Sequence, residues 1–325
     1  MFQQLFALMV VATIAQFGAV AVAQDYPTRP VTIVVPYPPG GPTDLVGRVI
    51  ADRIKATLGQ PVIVENVAGA SGTLGSGRVV RAVPDGYTLV VGQWSSHVGA
   101  GATLSLSYDP VNDFEPVALL TSSPLWIISR KNFPADDLKG LISWLNANPD
   151  KATAGTVGIG SGTHMCLIYF QNMTGTRFQV VPYRGGAPMM QDLLAGQIDF
   201  TCPEASQNLA QYRGGRIKVF GVLSNRRWFA VPEIPTLEEG GTPGMNFPFW
   251  NGLWAPKGTP KAIVDKLNAA VVEAFADPAV QKRFGDLGYD IPLRDQLTPE
   301  ALGRYHRQEV GKWHPIFKAA NIKPE

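Results

Sequence analysis

The feature that most constrains the fold is a repeated change from a short β-branched segment to an amphipathic one, with a Gly- and Pro-rich turn between them. Residues 30–36 (PVTIVVP) form the first such segment, and a turn follows at 37–44. Apolar residues then recur at helical spacing over 45–58. Further strands are predicted at 61–67 and 87–92. Strands that alternate with helices predict an α/β fold with a parallel sheet.

The same alternation starts again in the second third of the chain. Strands are predicted at 153–159, 178–182, 197–202 and 217–224, and helices at 136–148, 163–173, 187–195, 260–277 and 299–320. The Pro- and Gly-rich segment 225–260 is predicted to consist mostly of turns. Two α/β units predict two lobes around a cleft, with residues 24–124 and 249–325 in the first lobe and 125–248 in the second.

The first 23 residues have the features of a secretory signal peptide. An uncharged apolar run leads to Ala21-Val22-Ala23, which is an A-x-A cleavage pattern. Because no Lys or Arg precedes the run, an uncleaved membrane anchor stays an alternative. No later apolar run approaches the roughly 20 residues needed to span a bilayer. We therefore expect cleavage after Ala23 and a mature protein in the periplasm.

Charge and motif content exclude several classes of function. The net charge is only +2, without a Lys/Arg cluster that could displace phosphate counterions, so we expect no nucleic-acid partner. The four His residues lack metal-site spacing, and His306 and His314 are predicted on the solvated face of the last helix. No P-loop, dinucleotide fingerprint or G-x-S-x-G sequence occurs, which argues against a cofactor and against a hydrolase.

Two similar turns, one in each predicted lobe, are the strongest candidates for a binding site. The first is PYPPGGPTD at 36–44, and the second is PYRGGAP at 182–188. Each lies between a strand and a helix, where unpaired backbone N–H groups and the helix dipole favour an anion. Ordinary structural turns can have the same composition. If the two turns face each other across the cleft, they form a two-sided anion pocket.

Three more loops follow predicted strands, at the edge where open α/β sheets bind ligands. They are Gly69–Gly75, Trp94–His97 and Gly160–His164. In the last loop, Ser161 or Thr163 can simply cap a helix, or can add donors for a ligand carboxylate. His164 is a candidate ligand-binding residue of the same loop, or simply a residue of the helix start.

Seven ordered segments resemble the motifs of one family, the Bug-type extracytoplasmic solute receptors of tripartite tricarboxylate transporters. They are PVTIVVPYPPGGPTD, ENVAGASGTLG, PDGYTLVVG, YDPVNDFEPV, VPYRGGAPMMQDLLAGQID, VPEIPTLEEGG and APKGTPKAIVDKLN. The resemblance implies a two-lobed periplasmic binding protein of type II-like topology, with a mainly parallel sheet in each lobe. It further implies a non-enzymatic receptor, expected to be a monomer, that delivers a small carboxylate to an integral-membrane permease.

The resemblance also assigns roles to the candidate residues. One carboxylate would be held by the two turns, and the other loops would line the rest of the pocket. The turn residues are Pro42, Thr43, Asp44, Gly185, Gly186 and Ala187, and the loop residues are Gly72, Thr73, Ser95, Ser96, Ser161 and Thr163. Family members often have an Asn shortly after the position of His97, whereas this chain has HVGAGAT.

Several residues leave the ligand and the chemistry open. If Tyr37 and Trp94 face the ligand, an aromatic carboxylate could stack between them. Arg184 is close enough in sequence to meet a second carboxylate. Cys166 and Cys202 either pair in an oxidising compartment or stay free. An exported hydrolase and a sensor that presents the solute to a signalling partner are the alternative functions.

Overall fold

The computed structural model describes residues 26–158 and 160–319. The predicted signal peptide therefore lies outside the described residues. Within the described part of the chain, no helix combines the length and the apolar character needed to cross a membrane.

The first lobe is built on a five-stranded sheet in the order β2-β1-β3-β10-β4. Its strands are β1 (Val31–Val35), β2 (Val62–Asn66), β3 (Thr88–Gln93), β4 (Phe114–Pro124) and β10 (Pro248–Pro256). β1 pairs in parallel with β2 and β3, whereas β10 is antiparallel to both of its neighbours, β3 and β4. The sheet is thus mainly parallel with one reversed strand.

The second lobe repeats this arrangement in the order β7-β6-β8-β5-β9. Its strands are β5 (Trp126–Arg130), β6 (Thr153–Thr156), β7 (Gln179–Pro182), β8 (Phe200–Thr201) and β9 (Ile217–Val222). β6 is parallel to β7 and β8, and β5 is the reversed strand. In both sheets the reversed strand is the one that the chain enters after crossing from the other lobe.

Helices cover both sheets. They are α1 (Pro42–Leu58), α2 (Thr73–Val80), α3 (Ala100–Thr103), α4 (Leu138–Ala147), α5 (Gly162–Thr174), α6 (Gly186–Ala195), α7 (Ala205–Arg213), α8 (Lys261–Ala276), α9 (Pro278–Asp286) and α10 (Pro299–Ala319). Buried residues at helical spacing on α1, such as Val46 and Ile50, share a core with Leu267 and Val271 of α8. Pro42 starts α1 without losing a hydrogen bond, and Gly59 ends it at φ +68°.

The two crossings between the lobes run side by side. Leu125 alone separates β4 from β5, and the return segment passes through Leu223 and Phe247. The N–H of Leu223 donates to the carbonyl of Leu125 at 2.7 Å, and the N–H of Phe247 donates to the carbonyl of Leu223 at 3.2 Å. This narrow ribbon is the covalent connection between the lobes.

The prediction of a two-lobed α/β fold with mainly parallel sheets is confirmed. The segment 225–260 is the main error, because it contains β10, which lies between β3 and β4 in the first sheet. Helices α7 and α9 were also missing from the sequence-based prediction.

Candidate functional site

The loops predicted to form the site follow parallel strands and therefore meet at one edge of each sheet. Val35 of β1 pairs with Asn66 of β2 in the first lobe, and Thr156 of β6 pairs with Pro182 of β7 in the second. The first and second turns thus begin at corresponding edges of the two sheets.

In the first lobe, Asp44 organises the turn at 36–44. Its carboxylate accepts hydrogen bonds from the N–H of Gly40 at 2.8 Å, Nε of Arg48 at 2.8 Å and Nδ2 of Asn66 at 2.8 Å. The same amide of Asn66 also donates to the carbonyl of Tyr37 at 3.0 Å. This network closes the turn over the start of α1.

The electrostatics of this turn suit an anion despite the acidic side chain. Burial opposes ionisation of Asp44, but the hydrogen bonds from Arg48, Gly40 and Asn66 outweigh it and lower the pKa of the carboxyl. Because Arg48 pairs with Asp44, the carboxylate is neutralised locally. Gly41 provides no side-chain cap, so the N–H groups of Thr43 and Asp44 lie in the first turn of α1 without intrahelical acceptors.

The second turn offers a similar set of donors at the start of α6. Gly185 precedes the helix at φ +121° and supplies no side-chain cap, and the first turn contains no acidic residue. The N–H groups of Gly186 and Ala187 are consequently free of intrahelical acceptors. Arg184 is exposed next to them. Tyr183 anchors the turn, because its hydroxyl donates to Asp192 at 2.7 Å.

Three of the predicted residues of the first lobe converge behind the first turn. A Cβ at Gly72, which has φ +92°, would lie 2.7 Å from Oη of Tyr37 and 3.1 Å from Cβ of Ser96. Glycine is therefore required there both for backbone conformation and for space. Tyr37 donates from its hydroxyl to the carbonyl of Ser71 at 3.2 Å, and Thr73 begins α2. The loops that contain Tyr37, Gly72 and Ser96 therefore contact one another.

The hydroxyl groups of Ser161 and Thr163 are engaged within their own loop. Together with Thr156 they form a buried cluster with oxygen separations of 2.8–3.1 Å. Ser161 caps α5 by accepting from the N–H of His164 at 3.3 Å, and Thr163 accepts from the N–H of Val157 at 3.0 Å. These side chains shape the loop.

Ser95 connects the two lobes directly. Its Oγ accepts a hydrogen bond from the N–H of Gly162, the first residue of α5, at 3.0 Å. Beside it, a Cβ on Gly99 would lie 2.8 Å from the carbonyl oxygen of Gly160 in the other lobe. Ser96 is buried and bonds to the backbone of Gln93. The loop after β3 therefore contacts the start of α5 closely.

Trp94 does not form a wall of the cleft as the aromatic hypothesis requires. It is fully buried, and its ring packs edge-on against Phe247, Trp313 and Phe317 at centroid distances of 4.4, 5.6 and 5.9 Å. These contacts make it a core residue, because the chain at Trp94 turns inward after β3. Tyr37 is half-buried and lies at the site, so one of the two stacking surfaces is missing.

The prediction for His306 and His314 is also corrected. His306 is 3% exposed and His314 is partly buried, and neither lies on a solvated face. Both rings point from α10 toward the loop after β3, where they donate to backbone carbonyls. Helical periodicity could not reveal this, because the polar His residues were assigned to the charged face of the helix.

Comparison of the sequence with models of protein families identifies its family. The model of the tripartite tricarboxylate transporter family receptor, TctC, matches residues 46–322. The chain belongs to this receptor family. The Bug-type resemblance is thus confirmed.

Solved structures agree with this assignment to the TctC family. The periplasmic binding protein BugD is 38% identical with a TM-score of 0.85, over 92% of this chain and 100% of BugD. MatC from Rhodopseudomonas palustris with bound malate is 38% identical with a TM-score of 0.84, over 90% and 100% of the two chains. R. palustris Rpa4515 with adipate is 31% identical with a TM-score of 0.86, over 93% and 100%.

A disulfide anchors the α5 loop of this TctC-family chain. Cys166 of α5 and Cys202, which follows β8, are bonded with Cα atoms 6.2 Å apart. Cys166 lies five residues after Ser161, the cap of α5. The bond therefore ties the helix that contacts Ser95 to the core of its own sheet.

Glu204 is a buried acidic residue that sequence reasoning missed. It is 3% exposed beside the crossing, where it forms a β-bridge with Leu125. Its Oε1 has no hydrogen-bond partner among the described residues. Burial raises its pKa to about 7, although Gln207, Ser206 and Tyr289 oppose the shift. Its only signal in the sequence is an acidic residue two positions after a predicted strand.

Proposed function

We propose that this chain is a periplasmic solute receptor that binds a small aliphatic dicarboxylate between its lobes and delivers it to a membrane permease. In this proposal the signal peptide 1–23 is removed. The first lobe comprises residues 24–124 and 249–325, and the second comprises 125–248. The malate in MatC and the adipate in Rpa4515 support the ligand class.

One observation carries the proposal: each lobe presents an uncapped helix start at the corresponding edge of its sheet. The N–H groups of Thr43 and Asp44 serve one lobe, and those of Gly186 and Ala187 serve the other. Backbone donors bind a carboxylate without a buried cation, whose desolvation would cost several kcal/mol. Opening of the lobes separates the two halves of the donor set, which permits release.

The surroundings of Ser161 support the non-enzymatic role. Ser161 is held by the carbonyl of Gly158 at 2.6 Å and by the hydroxyl of Thr163 at 2.8 Å. A nucleophile would need a base to accept its proton. Here the hydroxyl caps a helix and contacts other neutral groups. We therefore assign Ser161 to loop structure.

The test is a thermal-shift screen of the mature chain after unfolding and refolding, which removes any ligand retained during purification. The panel contains succinate, malate, adipate, the matched monocarboxylates, benzoate and phthalate. A ligand at 100 times its Kd adds about 2.7 kcal/mol to the free energy of unfolding. We expect aliphatic dicarboxylates to raise the melting temperature by several degrees, and monocarboxylates to raise it less. A refolded protein that responds to no dicarboxylate would contradict the proposal.

A further inference from the structure

The loop that carries Ser95 and Ser96 is a single π-helical turn, Ser95–Gly99. All five residues are buried, and the N–H of Ala100 donates to the carbonyl of Ser95 across the wide turn. π-Helical turns are rare, and they occur frequently at functional sites. Since isolated turns of this kind are poorly stable, neighbouring groups must hold the backbone in place.

Two side chains of α10 hold this turn from one side. Nε2 of His306 lies 2.8 Å from the carbonyl oxygen of His97, and Nε2 of His314 lies 3.0 Å from that of Val98. A carbonyl oxygen can only accept, so Nε2 carries the proton in both rings. Burial lowers the pKa of His306 to about 4, which keeps the ring neutral near pH 7.

Packing of the His97 ring also fixes the turn. The ring of His97 stacks on Trp254 at a centroid distance of 3.9 Å. A Cβ on Gly92 would lie 2.0 Å from this ring, so glycine provides the space that the ring fills. Nδ1 of His97 lies 3.0 Å from Oγ of Ser96. The turn is thus clamped between α10 and the first sheet.

The turn also reaches the second lobe, through a hydrogen bond of Ser95. Ser95 Oγ accepts the N–H of Gly162, one of the first donors of α5. A displaced carbonyl at His97 or Val98 would shift Ser95 relative to that donor. The C-terminal helix therefore contacts the same turn that reaches the second lobe, although α10 itself contributes no residue to the predicted donor set.

We propose that His306 and His314 are positioning residues, which fix the π-helical turn so that Ser95 and Ser96 are correctly placed for ligand binding and for the contact with α5. This inference rests on the proposed function for its ligand. The effect of His306 and His314 on the turn does not depend on which solute binds. One part of the test therefore needs no ligand.

The experiment compares His306→Gln with His306→Leu. A glutamine side chain can still donate to a carbonyl, whereas leucine cannot. Gln308→Leu, an exposed position on the same helix, is the matched control. Amide hydrogen exchange of the ligand-free protein is measured over residues 95–103, together with the Kd of the dicarboxylate identified in the screen.

We expect His306→Leu to accelerate exchange in the turn and to weaken binding by about three- to tenfold, the loss typical of one neutral hydrogen bond. His306→Gln and Gln308→Leu should stay close to the wild type. In the Ser95→Ala background, His306→Leu should weaken binding much less than in the wild type, because both changes act through the same contact.

The inference is overturned if His306→Leu folds and leaves both exchange and Kd unchanged, or if His306→Gln is as impaired as His306→Leu. If His306→Leu does not fold, the same comparison at the partly exposed His314 decides the question. If His306→Leu accelerates exchange but the wild type binds no dicarboxylate, the role of His306 in holding the turn is supported and the proposed function is rejected.

Discussion

At the scale of single residues, backbone N–H groups supply the predicted donors, and the side chains mostly hold the backbone. Asp44 illustrates this role, since its carboxylate is fully used by Gly40, Arg48 and Asn66. Arg184 is the exception among the predicted site residues. It is exposed, lies beside Gly185, and makes no ion pair within the described part of the chain.

Arg184 should therefore distinguish dicarboxylates from monocarboxylates. We expect Arg184→Gln to weaken dicarboxylate binding by about tenfold, because a charge-assisted hydrogen bond contributes roughly 1.5–3 kcal/mol and exposure reduces it. Monocarboxylate binding should not change. Isothermal titration of both ligand classes measures the difference, with Arg216→Gln on the same lobe as control. Equal losses for both ligand classes would reject this role.

Glu204 should make stability depend on pH. Its pKa is raised to about 7 from an ordinary value of 4.5, so the folded state binds more protons than the unfolded state between these values. The contribution of Glu204 to the free energy of unfolding is therefore complete below pH 4.5 and is lost as the pH rises through 7. Glu204→Gln should stabilise the protein by about 3 kcal/mol at pH 8 relative to its effect at pH 4.5.

Urea unfolding at both pH values tests this prediction through the difference between variant and wild type. The difference curve isolates Glu204 from other titrating groups such as His306, whose lowered pKa acts in the opposite direction. Glu238→Gln, an exposed change in the same lobe, is the matched control. A flat difference curve for Glu204→Gln would contradict the shift.

At the scale of elements, sequence patterns found most strands and helices but missed β10. Its sequence, PFWNGLWAP, begins and ends with Pro and contains Gly252, so it resembles a turn-rich segment. All residues of β10 after Pro248 are buried, so no polar alternation marks it as a strand. Its hydrogen-bonding partners, β3 and β4, lie more than 120 residues earlier in the chain.

In the candidate site, too, the sequence indicated local features and missed contacts between distant residues. Turn chemistry identified the loops, because Gly and Pro at the end of a strand have local causes. Side-chain direction has no such local signal, so Trp94 was wrongly predicted to face a ligand. The contacts that bury Trp94 come from Phe247 and from α10, far away in sequence.

The disulfide constrains α5 covalently. Its 36-residue separation closes a loop whose entropy in the unfolded chain corresponds to about 4 kcal/mol. We expect Cys166→Ser with Cys202→Ser to lower the free energy of unfolding by roughly that amount, measured by urea denaturation. Reductant should destabilise the wild type but not the double variant. An unchanged urea midpoint in the double variant would show that the disulfide does not stabilise the folded state.

At the scale of the whole molecule, two sheets of the same topology are joined by a ribbon at Leu125 and Leu223. Each sheet directs its helix starts toward the edge where its parallel strands end. A receptor of this design has half of its predicted anion donors in each lobe. Ligand affinity should therefore depend on both lobes.

The most direct measurement removes one predicted donor and leaves the rest of the site intact. Ala187→Pro deletes a single backbone N–H in the first turn of α6, where proline is tolerated, and Ala187→Gly keeps that N–H. In isothermal titration with the best dicarboxylate, we expect Ala187→Pro to weaken binding by about tenfold or more and Ala187→Gly to change it little. Unchanged affinity in a folded Ala187→Pro variant would contradict capture of the carboxylate by the two helix starts.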